Sequence, residues 1–428
     1  MRVDCYPEAP LDWPRKTVGD VAEIDPPYQL EVGRVYPFVE MASVREDFGG
    51  ISRFDERIWE RSGLCRFKER DILLGKITPC AENGKATLVR GLHDEFGIGS
   101  TEFFVLSPKD GMLPDFLFAA VTAASFHRRL VSRMEGSTGR LRITRDTLKK
   151  WLTLPVPSPD EQQRIVKAIK LADDVSKAAQ AELNAALELK RSLMQSLFVT
   201  GMPGRHQHFH ETKIGLIPVD WEVRTMRSVL LEQPNSGISP QSRPEPPGTP
   251  ILNVSCVKNG VCNPSDVTYV DVPEEDVIRY RANVGDFFVL RGNGNRDFVG
   301  AGGLLRELPP GNTIYSDKLI RLRFDLNEVA ERFVPYLWQS RVFLTHLQSK
   351  AESGSGLWMM SKRDIVREIF PYPPLTEQKE IVTLLDTVEE QLMALVKKIK
   401  SLQDVKRSLH QNLLTGKLRT PPTIEIPS

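Results

Sequence analysis

Two stretches of the chain carry apolar residues at alternating steps of four and three. In the second stretch this seam runs unbroken from Ile381 to Leu413, and nine of its ten positions are apolar. Steps of three and four return a side chain to the same face of a helix, so the pattern predicts a long helix with a coiled-coil seam. The same register in the first stretch runs from Ile165 to Leu197 and is rich in alanine.

Small residues on one seam and large residues on the other suit two closely packed helices. We therefore expect an intramolecular antiparallel coiled coil. The alternative, that each helix only covers its own domain, is disfavoured by seams that contain no glycine or proline. The residues assigned to this contact are Ile165, Ile169, Leu183, Leu193, Leu197, Ile381, Leu385, Leu392, Leu395, Ile399, Leu409 and Leu413. Asp160 or Ser158 and Thr376 are candidate helix caps, and Gly201 and Gly416 are candidate terminators.

The two helical stretches belong to a longer internal repeat. PSPDEQQRIV at 157–166 matches PPLTEQKEIV at 373–382, and Lys-Arg-Ser-Leu occurs at both 190–193 and 406–409. Upstream, MEGSTG matches AESGSG, and PLDWPRKTVGDV matches PVDWEVRTMRSV. The middles of the two copies diverge. The chain is therefore a duplicated pair of domains, with boundaries expected at 1–154 (first domain), 155–201 (first helix), 202–216 (linker), 217–372 (second domain), 373–418 (second helix) and 419–428 (tail).

The two globular domains have the pattern of a mixed α/β (α+β) fold. Short apolar runs broken by glycine, proline and asparagine predict strands, at 71–77, 102–107, 286–292 and 318–324. An apolar helix is expected to close each domain, at 114–133 and at 331–350. The predicted fold is thus two globular domains separated by two long helices, with pseudo-two-fold duplication.

Composition adds three constraints. The 428 residues carry a net charge of +1, so only the local distribution of charge can indicate nucleic acid. The five cysteines are scattered, which predicts neither a disulfide framework nor a cysteine zinc site. The N-terminus lacks the apolar core of a secretory signal, and the most apolar run, 116–126, is too short to span a bilayer. We expect a cytoplasmic protein without a membrane association.

Several motifs resemble catalytic or cofactor sites. Asp25-Pro26-Pro27-Tyr28 matches the loop by which amino-methyltransferases hold a flipped base, but no glycine-rich cofactor loop accompanies it. The stronger interpretation is a Pro-Pro turn after the first helix of the domain. The glycines of 291–303 do not have nucleotide-loop spacing and are expected to form a turn. His206, His208 and His210 alternate as metal ligands could, although a polar linker is the stronger interpretation. We predict no catalytic residue, no metal and no cofactor.

Basic clusters favour nucleic acid. Segment 126–150 contains eight Arg or Lys against two acids, around a Ser-Thr-Gly turn, and a Ser-Gly-Ser-Gly turn recurs at 353–356 before two further cations. Arg counters phosphate charge, and Arg and Asn pair with base edges. The recurrence in both copies outweighs the interpretation as a merely solvated face. The candidate DNA-binding residues are Lys76, Lys85, Ser137, Thr138, Arg140, Arg142, Arg145, Arg291, Asn293, Asn295, Arg296, Lys318, Ser353, Ser355, Trp358, Lys362 and Arg363.

The order of variable domain and Glu-Gln-started helix, twice over, resembles the specificity subunits of type I restriction–modification systems. The resemblance rests on Glu161-Gln162 and Glu377-Gln378, on the KRSL…TG endings, on GSTEF at 99–103, and on Trp13 and Trp221. It implies a subunit without catalysis whose two target recognition domains each bind half of a bipartite, asymmetric DNA site.

The resemblance also implies partners. The helices would space the domains and dock two methylation (M) subunits, which carry S-adenosylmethionine, and restriction (R) subunits would join the full complex on double-stranded DNA. Two other functions remain open from sequence: a DNA adenine methyltransferase using residues 25–28, and a coiled-coil scaffold with no nucleic-acid role.

Overall fold

The computed structural model describes residues 3–46, 48–61, 63–137, 139–307, 311–354 and 356–420. By its internal contacts the chain divides into two compact units. The first comprises Met1–Gln180 and Lys398–Ser428, and the second comprises Ala181–Lys397. Each unit therefore combines one globular domain with part of each long helix.

The described residues of the first unit form short strands, three short α-helices and parts of the two long helices. Its strands are β1 (Val3–Asp4), β2 (Arg15–Thr17), β3 (Ala22–Ile24), β4 (Val35–Val39), β5 (Asp55–Ile58), β6 (Cys65–Lys68), β7 (Ile72–Gly75), β8 (Ala86–Leu88), β9 (Phe96–Gly99), β10 (Phe103–Pro108), β11 (Glu135–Ser137), β12 (Arg140–Arg142) and β13 (Leu152–Pro155). Its helices are α1 (Val18–Val21), α2 (Pro114–Thr122), α3 (Ala124–Val131) and the beginning of α4 (Pro159–Thr200).

The central sheet of the first domain has the strand order β3-β10-β7-β8. Ile72, Leu73 and Leu74 of β7 are all buried, as expected for a strand covered on both faces. A second sheet has the order β5-β4-β9-β6. Helices α2 and α3 contribute to a core that also contains Ile165 and Leu413 of the long helices, so the first domain and its helix pair share one core.

The second unit follows the same plan with more strands. These are β14 (Phe209–Thr212), β15 (Gly215–Pro218), β16 (Glu222–Thr225), β17 (Asn235–Ser236), β18 (Ser242–Arg243), β19 (Thr249–Leu252), β20 (Val257–Lys258), β21 (Gly260–Cys262), β22 (Val267–Val270), β23 (Phe287–Leu290), β24 (Gly292–Asn293), β25 (Gly302–Leu305), β26 (Ile314–Tyr315), β27 (Leu319–Leu322), β28 (Glu352–Gly354), β29 (Leu357–Met359) and β30 (Ile369–Tyr372). The helices are α5 (Glu274–Arg279), α6 (Phe333–Gln339), α7 (Arg341–Ser349), α8 (Lys362–Arg367) and α9 (Leu375–Leu414), whose last part belongs to the first unit.

The central sheet of the second domain repeats that of the first. Its order, β17-β27-β23-β25-β21-β20, begins as the counterpart of β3-β10-β7-β8. The four strands predicted from apolar runs, now β7, β10, β23 and β27, are all confirmed in these two sheets. Divergent sequences between the repeated segments therefore fold on a common frame.

The long helices begin and end close to the predicted residues. Ser158 precedes α4, and its hydroxyl accepts a hydrogen bond from the Glu161 amide at 3.3 Å, which confirms it as a cap. Thr376, in contrast, lies inside the first turn of α9. Gly201 and Gly416 follow the two helices with φ of +76° and +66°, the left-handed conformation that ends helices at glycine.

The predicted seams are the buried faces of the long helices. All ten seam positions of α4 are buried or half-buried, and on α9 only Lys406 is exposed. The off-seam apolar residues Leu189 and Val405 are 63% and 58% exposed. The heptad register read from the sequence is therefore correct.

The helices are antiparallel within each unit. In the first unit, Lys406 near the end of α9 pairs with Asp173 of α4 at 2.8 Å. In the second unit, Lys190 near the end of α4 pairs with Glu389 of α9 at 3.0 Å. The repeat register aligns Lys190 with Lys406 and Asp173 with Glu389, so the two ion pairs are counterparts. The intramolecular coiled coil is confirmed.

Three local expectations were wrong. Residues 114–133 and 331–350 each form two helices, because Ala123 and Ser340 adopt extended backbone with ψ of 144° and 137°. The segment 202–216 is not a plain linker, since β14 and β15 pair as a hairpin. The loop at residues 25–28 follows strand β3 rather than the first helix.

No helix among the described residues combines the length and apolarity needed to cross a membrane.

The shared core predicts unequal effects of two leucine truncations. Leu413 is 2% exposed in the core of the first unit, whereas Leu171 of the same unit is 52% exposed. Leu413→Ala should lower the free energy of unfolding by about 2–5 kcal/mol. Leu171→Ala should change it by less than about 0.5 kcal/mol. Urea unfolding followed by circular dichroism measures both, and equal effects would contradict the assigned seam.

Candidate nucleic-acid interface

The Glu-Gln pair that starts each long helix is a structural clamp. In the first unit the Trp13 indole donates to Glu161 at 3.1 Å. Gln162 is fully buried; its oxygen accepts from the Leu113 amide at 2.8 Å and its nitrogen donates to the Gly111 carbonyl at 3.0 Å. The glutamate therefore holds the N-terminal segment of the domain at Trp13, and the glutamine holds the segment before α2.

The second unit repeats this clamp. The Trp221 indole donates to Glu377 at 3.0 Å, and Gln378 accepts from the Ala330 amide at 3.0 Å. The amide of Met202, just after α4, donates to Glu377 at 3.0 Å. A Cβ atom on Gly201 would lie 2.7 Å from the Glu377 carboxylate, so this position requires glycine.

A nitrogen-bearing side chain completes each clamp, and the residue type differs. In the first unit Arg419 donates to Glu161 at 2.8 Å and to Asp12 at 3.2 Å. In the second unit His206 takes the equivalent place, with Nε2 at 2.8 Å from Glu377 and Nδ1 at 3.1 Å from Asp220. The residues that follow each helix thus return to the start of the other helix.

Glu377 is held as a carboxylate by its donors. Burial by itself raises the pKa of Glu377, but hydrogen bonds from the Met202 amide, His206 and Trp221 outweigh burial and hold the pKa below its usual value. His206, Asp220 and Glu377 bring their ligand atoms within 4.8 Å of one another, a grouping that could hold a metal ion. Each imidazole nitrogen faces a different carboxylate, however, and Glu377 already accepts from Trp221 and Met202. The contacts are those of an imidazole held between two carboxylates. The three histidines are not aligned, since only His210 lies in strand β14.

The predicted DNA-binding residues of the first unit gather around the β11–β12 hairpin. The Ile143 amide donates to the Lys76 carbonyl at 2.7 Å, and the Lys85 carbonyl accepts from the Gly75 amide at 2.8 Å. Ser137 and Arg140 are exposed on the hairpin, whereas Thr138 lies outside the described residues. The structure therefore brings these candidates to one edge of the domain.

Some of these cations have internal partners. Arg142 pairs with Glu102 at 3.1 Å, and Arg145 pairs with Asp25 at 2.5 Å. Lys85 donates to the Met41 carbonyl at 3.1 Å. Both arginines are more than half exposed, so each retains donors toward solvent.

The candidates of the second unit gather around an equivalent three-stranded sheet, β24-β29-β28. Asn293 pairs with Trp358 across this sheet, and the Arg296 guanidinium lies 4.9 Å from the centre of the Trp358 ring. Ser353 is exposed on β28. Lys362 and Arg363 are exposed in the first turn of α8. Ser355 lies outside the described residues.

The asparagine side chains already serve the loop. The Asn293 oxygen accepts from the Asn295 amide at 2.9 Å, and the Asn295 oxygen accepts from the Asp297 amide at 3.0 Å. A bidentate contact with adenine uses both the oxygen and the nitrogen of an amide. Either asparagine would have to release its turn bond to make one.

The two surfaces share a backbone frame but carry different side chains. The Lys76 amide donates to the Glu102 carbonyl at 3.0 Å, and the Arg291 amide donates to the Lys318 carbonyl at 2.9 Å. The Met360 amide donates to the Arg291 carbonyl at 2.8 Å, as that of Ile143 does to Lys76. Lys76 of the first domain is therefore replaced by Arg291 in the second, and Glu102 is replaced by Lys318.

The methyltransferase-like loop is tied into the first domain. Asp25 accepts from the Val105 amide at 3.0 Å as well as from Arg145. The Tyr28 hydroxyl lies 3.0 Å from both Asp71 and Ser107. Burial raises the pKa of Asp71. The polar groups that such a loop would offer to a flipped base are thus engaged within the protein.

Sequence analysis did not identify the acids opposite the helix lysines, Asp173 and Glu389. The signal was present, because Lys406 is the one polar position of the second seam and Lys190 is its counterpart. A lysine on a packed seam calls for a counter-charge, and an acid on the facing helix could have been sought.

A family model described as type I restriction modification DNA specificity domain matches residues 10–189 and 218–403. The chain belongs to this family. The resemblance drawn from the repeat is therefore confirmed, and with it the duplicated fold. The two matched segments coincide with the two copies of the repeat.

Several relatives support the assignment. The chain is 26% identical over 327 residues to the type I restriction enzyme EcoKI specificity subunit of Escherichia coli K12, covering 74% of this chain and 68% of that one. It is 23% identical over 433 residues to the putative type I restriction enzyme MjaX specificity subunit of Methanocaldococcus jannaschii, covering 96% and 95%.

Solved structures share the fold. The HsdS subunit from Thermoanaerobacter tengcongensis aligns with a TM-score of 0.52 at 19% identity, over 96% of this chain and 98% of that one. A chain from a structure of the type I R-M system aligns with a TM-score of 0.64 at 18% identity, over 96% and 99%. At these identities the likeness concerns architecture alone.

The clamp predicts a pH-dependent effect of Glu377→Gln. The folded pKa of Glu377 lies below its unfolded value of about 4.3, so its stabilisation is fully present above that pH and is lost as pH falls through the folded pKa. Glu377→Gln should cost about 1–3 kcal/mol at pH 7, and the difference should shrink toward pH 3. Urea unfolding at both pH values measures this.

Glu390→Gln is the matched control, since Glu390 is exposed on the same helix. It should have little effect at either pH. A destabilisation by Glu377→Gln that stayed constant from pH 7 to pH 3 would show that its charge is not what holds the clamp.

Proposed function

We propose that this chain is the DNA specificity subunit of a type I restriction–modification complex, without catalysis of its own. Its two recognition domains, residues 1–154 and 217–372, each bind one half of a bipartite, asymmetric DNA site. The helices 155–201 and 373–418, with the segment 202–216 and the tail 419–428, support and space the domains. The complex acts in the cytoplasm, on the double-stranded DNA that it recognises there.

One observation carries the proposal: the same backbone frame presents a different set of side chains in each domain. Protein contacts to phosphate fix orientation, whereas contacts to base edges confer sequence specificity. Lys76 and Arg291 hold equivalent places on the frame, and so do Glu102 and Lys318. Two identical surfaces would favour a symmetric site, so the exchanged side chains favour two different half-sites.

The outer faces of the helices support docking of partner subunits. Each unit leaves large apolar side chains exposed away from the seam, which are Leu171, Val175 and Val405 in the first, and Leu187, Leu189, Met393 and Val396 in the second. Exposed apolar residues that recur on one element are typical of protein interfaces. Leu189 and Val405 are counterparts in the repeat, which suits two copies of one methylation subunit. Restriction subunits join through that assembly.

Replacing residues 217–372 with those of a relative tests whether each domain recognises its own half-site. The second domain presents its candidate DNA-binding residues on its own β24-β29-β28 sheet, so the exchange should change one half of the recognised site and leave the other unchanged. Sequencing of methylated sites in cells that express the chimaera with its methylation subunits measures both halves. A change in both halves would contradict the modular account.

The Arg296–Trp358 pair predicts a single-residue effect. Arg296 is exposed and stacked on an aromatic ring, which holds its fork toward solvent as recognition of guanine or phosphate requires. Arg296→Ala should weaken binding of the chain, assembled with its methylation subunits, to an unmethylated duplex that contains the recognised site. The expected loss of affinity is roughly 5- to 150-fold, the effect of about 1–3 kcal/mol. Fluorescence anisotropy measures the affinity.

Arg279→Ala is the matched control. Arg279 is also exposed and stacked on an aromatic ring, 5.5 Å from the centre of Tyr280, but it lies on α5, away from the β24-β29-β28 sheet. Its replacement should leave the affinity within about twofold. Equal losses from both substitutions would place the DNA elsewhere on the second domain.

A further inference from the structure

The carboxylate of Glu389 joins three parts of the second unit. Its oxygens accept from Lys190 of α4 at 3.0 Å, from Arg306 after β25 at 3.0 Å, and from Arg332 before α6 at 2.7 Å. The Tyr336 hydroxyl oxygen lies 3.1 Å from the same carboxylate. One acid of α9 is therefore bonded to the other long helix and to two separate segments of the recognition domain.

A second acid reinforces this contact. Asp386, one turn earlier on α9, lies 2.6 Å from Arg332 and accepts from Tyr336 at 2.5 Å. Burial by itself raises the pKa of Glu389, but the charges of Lys190 and Arg306 outweigh burial and lower the pKa from 4.5 to about 2. Because buried charges must be paired to be tolerated, the domain cannot shift along the helix without leaving one of these groups unpaired.

The described residues of the first unit do not form the same arrangement. In the repeat register Asp173 is the counterpart of Glu389, and Lys170 that of Asp386. With Phe116 aligned to Phe333, Asp115 is the counterpart of Arg332, and alanine replaces Tyr336. The aligned charges are therefore reversed at two positions, and the hydroxyl is missing.

In the first unit, the corresponding charges of the domain pair with other residues of the domain, and those of the helices pair with each other. Asp115 pairs with Arg70 at 2.5 Å and with Arg90, the counterpart of Arg306. Asp173 pairs with Lys406 of the other helix at 2.8 Å. A cleft of about 830 Å³ lies at this level, lined by Asp115, Ala119, Lys170 and Asp173 among others. The first domain packs on its helices through their shared core, but at this level a cleft lies between them, whereas the second domain is bonded to its helices here.

We propose that Glu389 is a positioning residue that locks the second recognition domain to its helix pair, whereas the described residues of the first domain form no such lock at this level and leave it more freedom there. The inference rests on the proposed function for its consequence in DNA recognition. A locked domain tolerates only one placement of its half-site along the duplex.

Distances within each unit test the lock directly. Spin labels are placed on Ser192→Cys and Glu275→Cys in the second unit, and on the counterpart Ser408→Cys with Glu60→Cys in the first, all at exposed positions. The half-buried thiols of Cys65 and Cys80 are first replaced by serine. Pulsed electron–electron double resonance on the full chain with its methylation subunits gives the distribution of distances between each pair of labels.

The second-unit distribution should be narrow and the first-unit distribution broad. Glu389→Gln should broaden the second to a width like that of the first, and Tyr336→Phe, which removes only a hydroxyl, should broaden it less. Asp173→Asn should change neither. An unchanged second-unit distribution in both Glu389→Gln and Tyr336→Phe, with native circular dichroism, would overturn the lock.

Binding to a duplex library with one base pair added to or removed from the spacer tests the consequence. The wild-type complex should disfavour the altered spacers by about tenfold or more, and Glu389→Gln should reduce that preference to under about threefold while both half-sites stay the same. Broadened distances with unchanged spacer preference would overturn the positioning role. A wild-type complex with no sequence preference would instead refute the proposed function. The spin-label distance distributions would still test the lock independently.

Discussion

Each long helix depends on a buried carboxylate in its first turn. Glu161 and Glu377 accept from a tryptophan indole of the adjoining domain and from the segment that follows the other helix. Helices in proteins are stabilised mainly by packing of their apolar faces, and the pairing of these two helices requires both ends to stay in register. The glutamate provides that constraint, because it binds the end of one helix to the beginning of the other at the point where the domain joins.

The duplication then separates support from recognition. The clamps, the seams and the central sheet order recur in both units, and they are what the repeated sequence encodes. The side chains displayed on the frame do not recur, as Lys76 and Arg291 or Glu102 and Lys318 show. Selection can alter the recognised bases without disturbing the helices, because no displayed residue takes part in a clamp.

The supporting framework was largely predictable from sequence. The heptad register requires only periodicity, and burial of all but one seam residue confirms it. The ends at Gly201 and Gly416 follow from local backbone preferences. The breaks at Ala123 and Ser340 were not predicted, since neither residue is a helix breaker and tertiary packing decides the backbone there. The hairpin of β14 and β15 was missed because its polar residues do not alternate as a half-buried strand would.

The site was predictable only in part. The basic clusters and their turns were identified, and the structure gathers them at one edge of each domain. Trp13 and Glu161 were both noted as repeat markers, but a contact across 148 residues has no local signature. The Glu389 network was missed for the same reason, because its donors come from three distant segments.

The central claim is that one chain presents two different DNA-reading surfaces. Sequencing the methylated sites of a genome that carries this chain with its methylation subunits tests it most directly. The account predicts one motif made of two unlike half-sites, separated by a spacer of fixed length whose bases do not matter. A continuous motif, a symmetric motif, or methylation without a motif would contradict it.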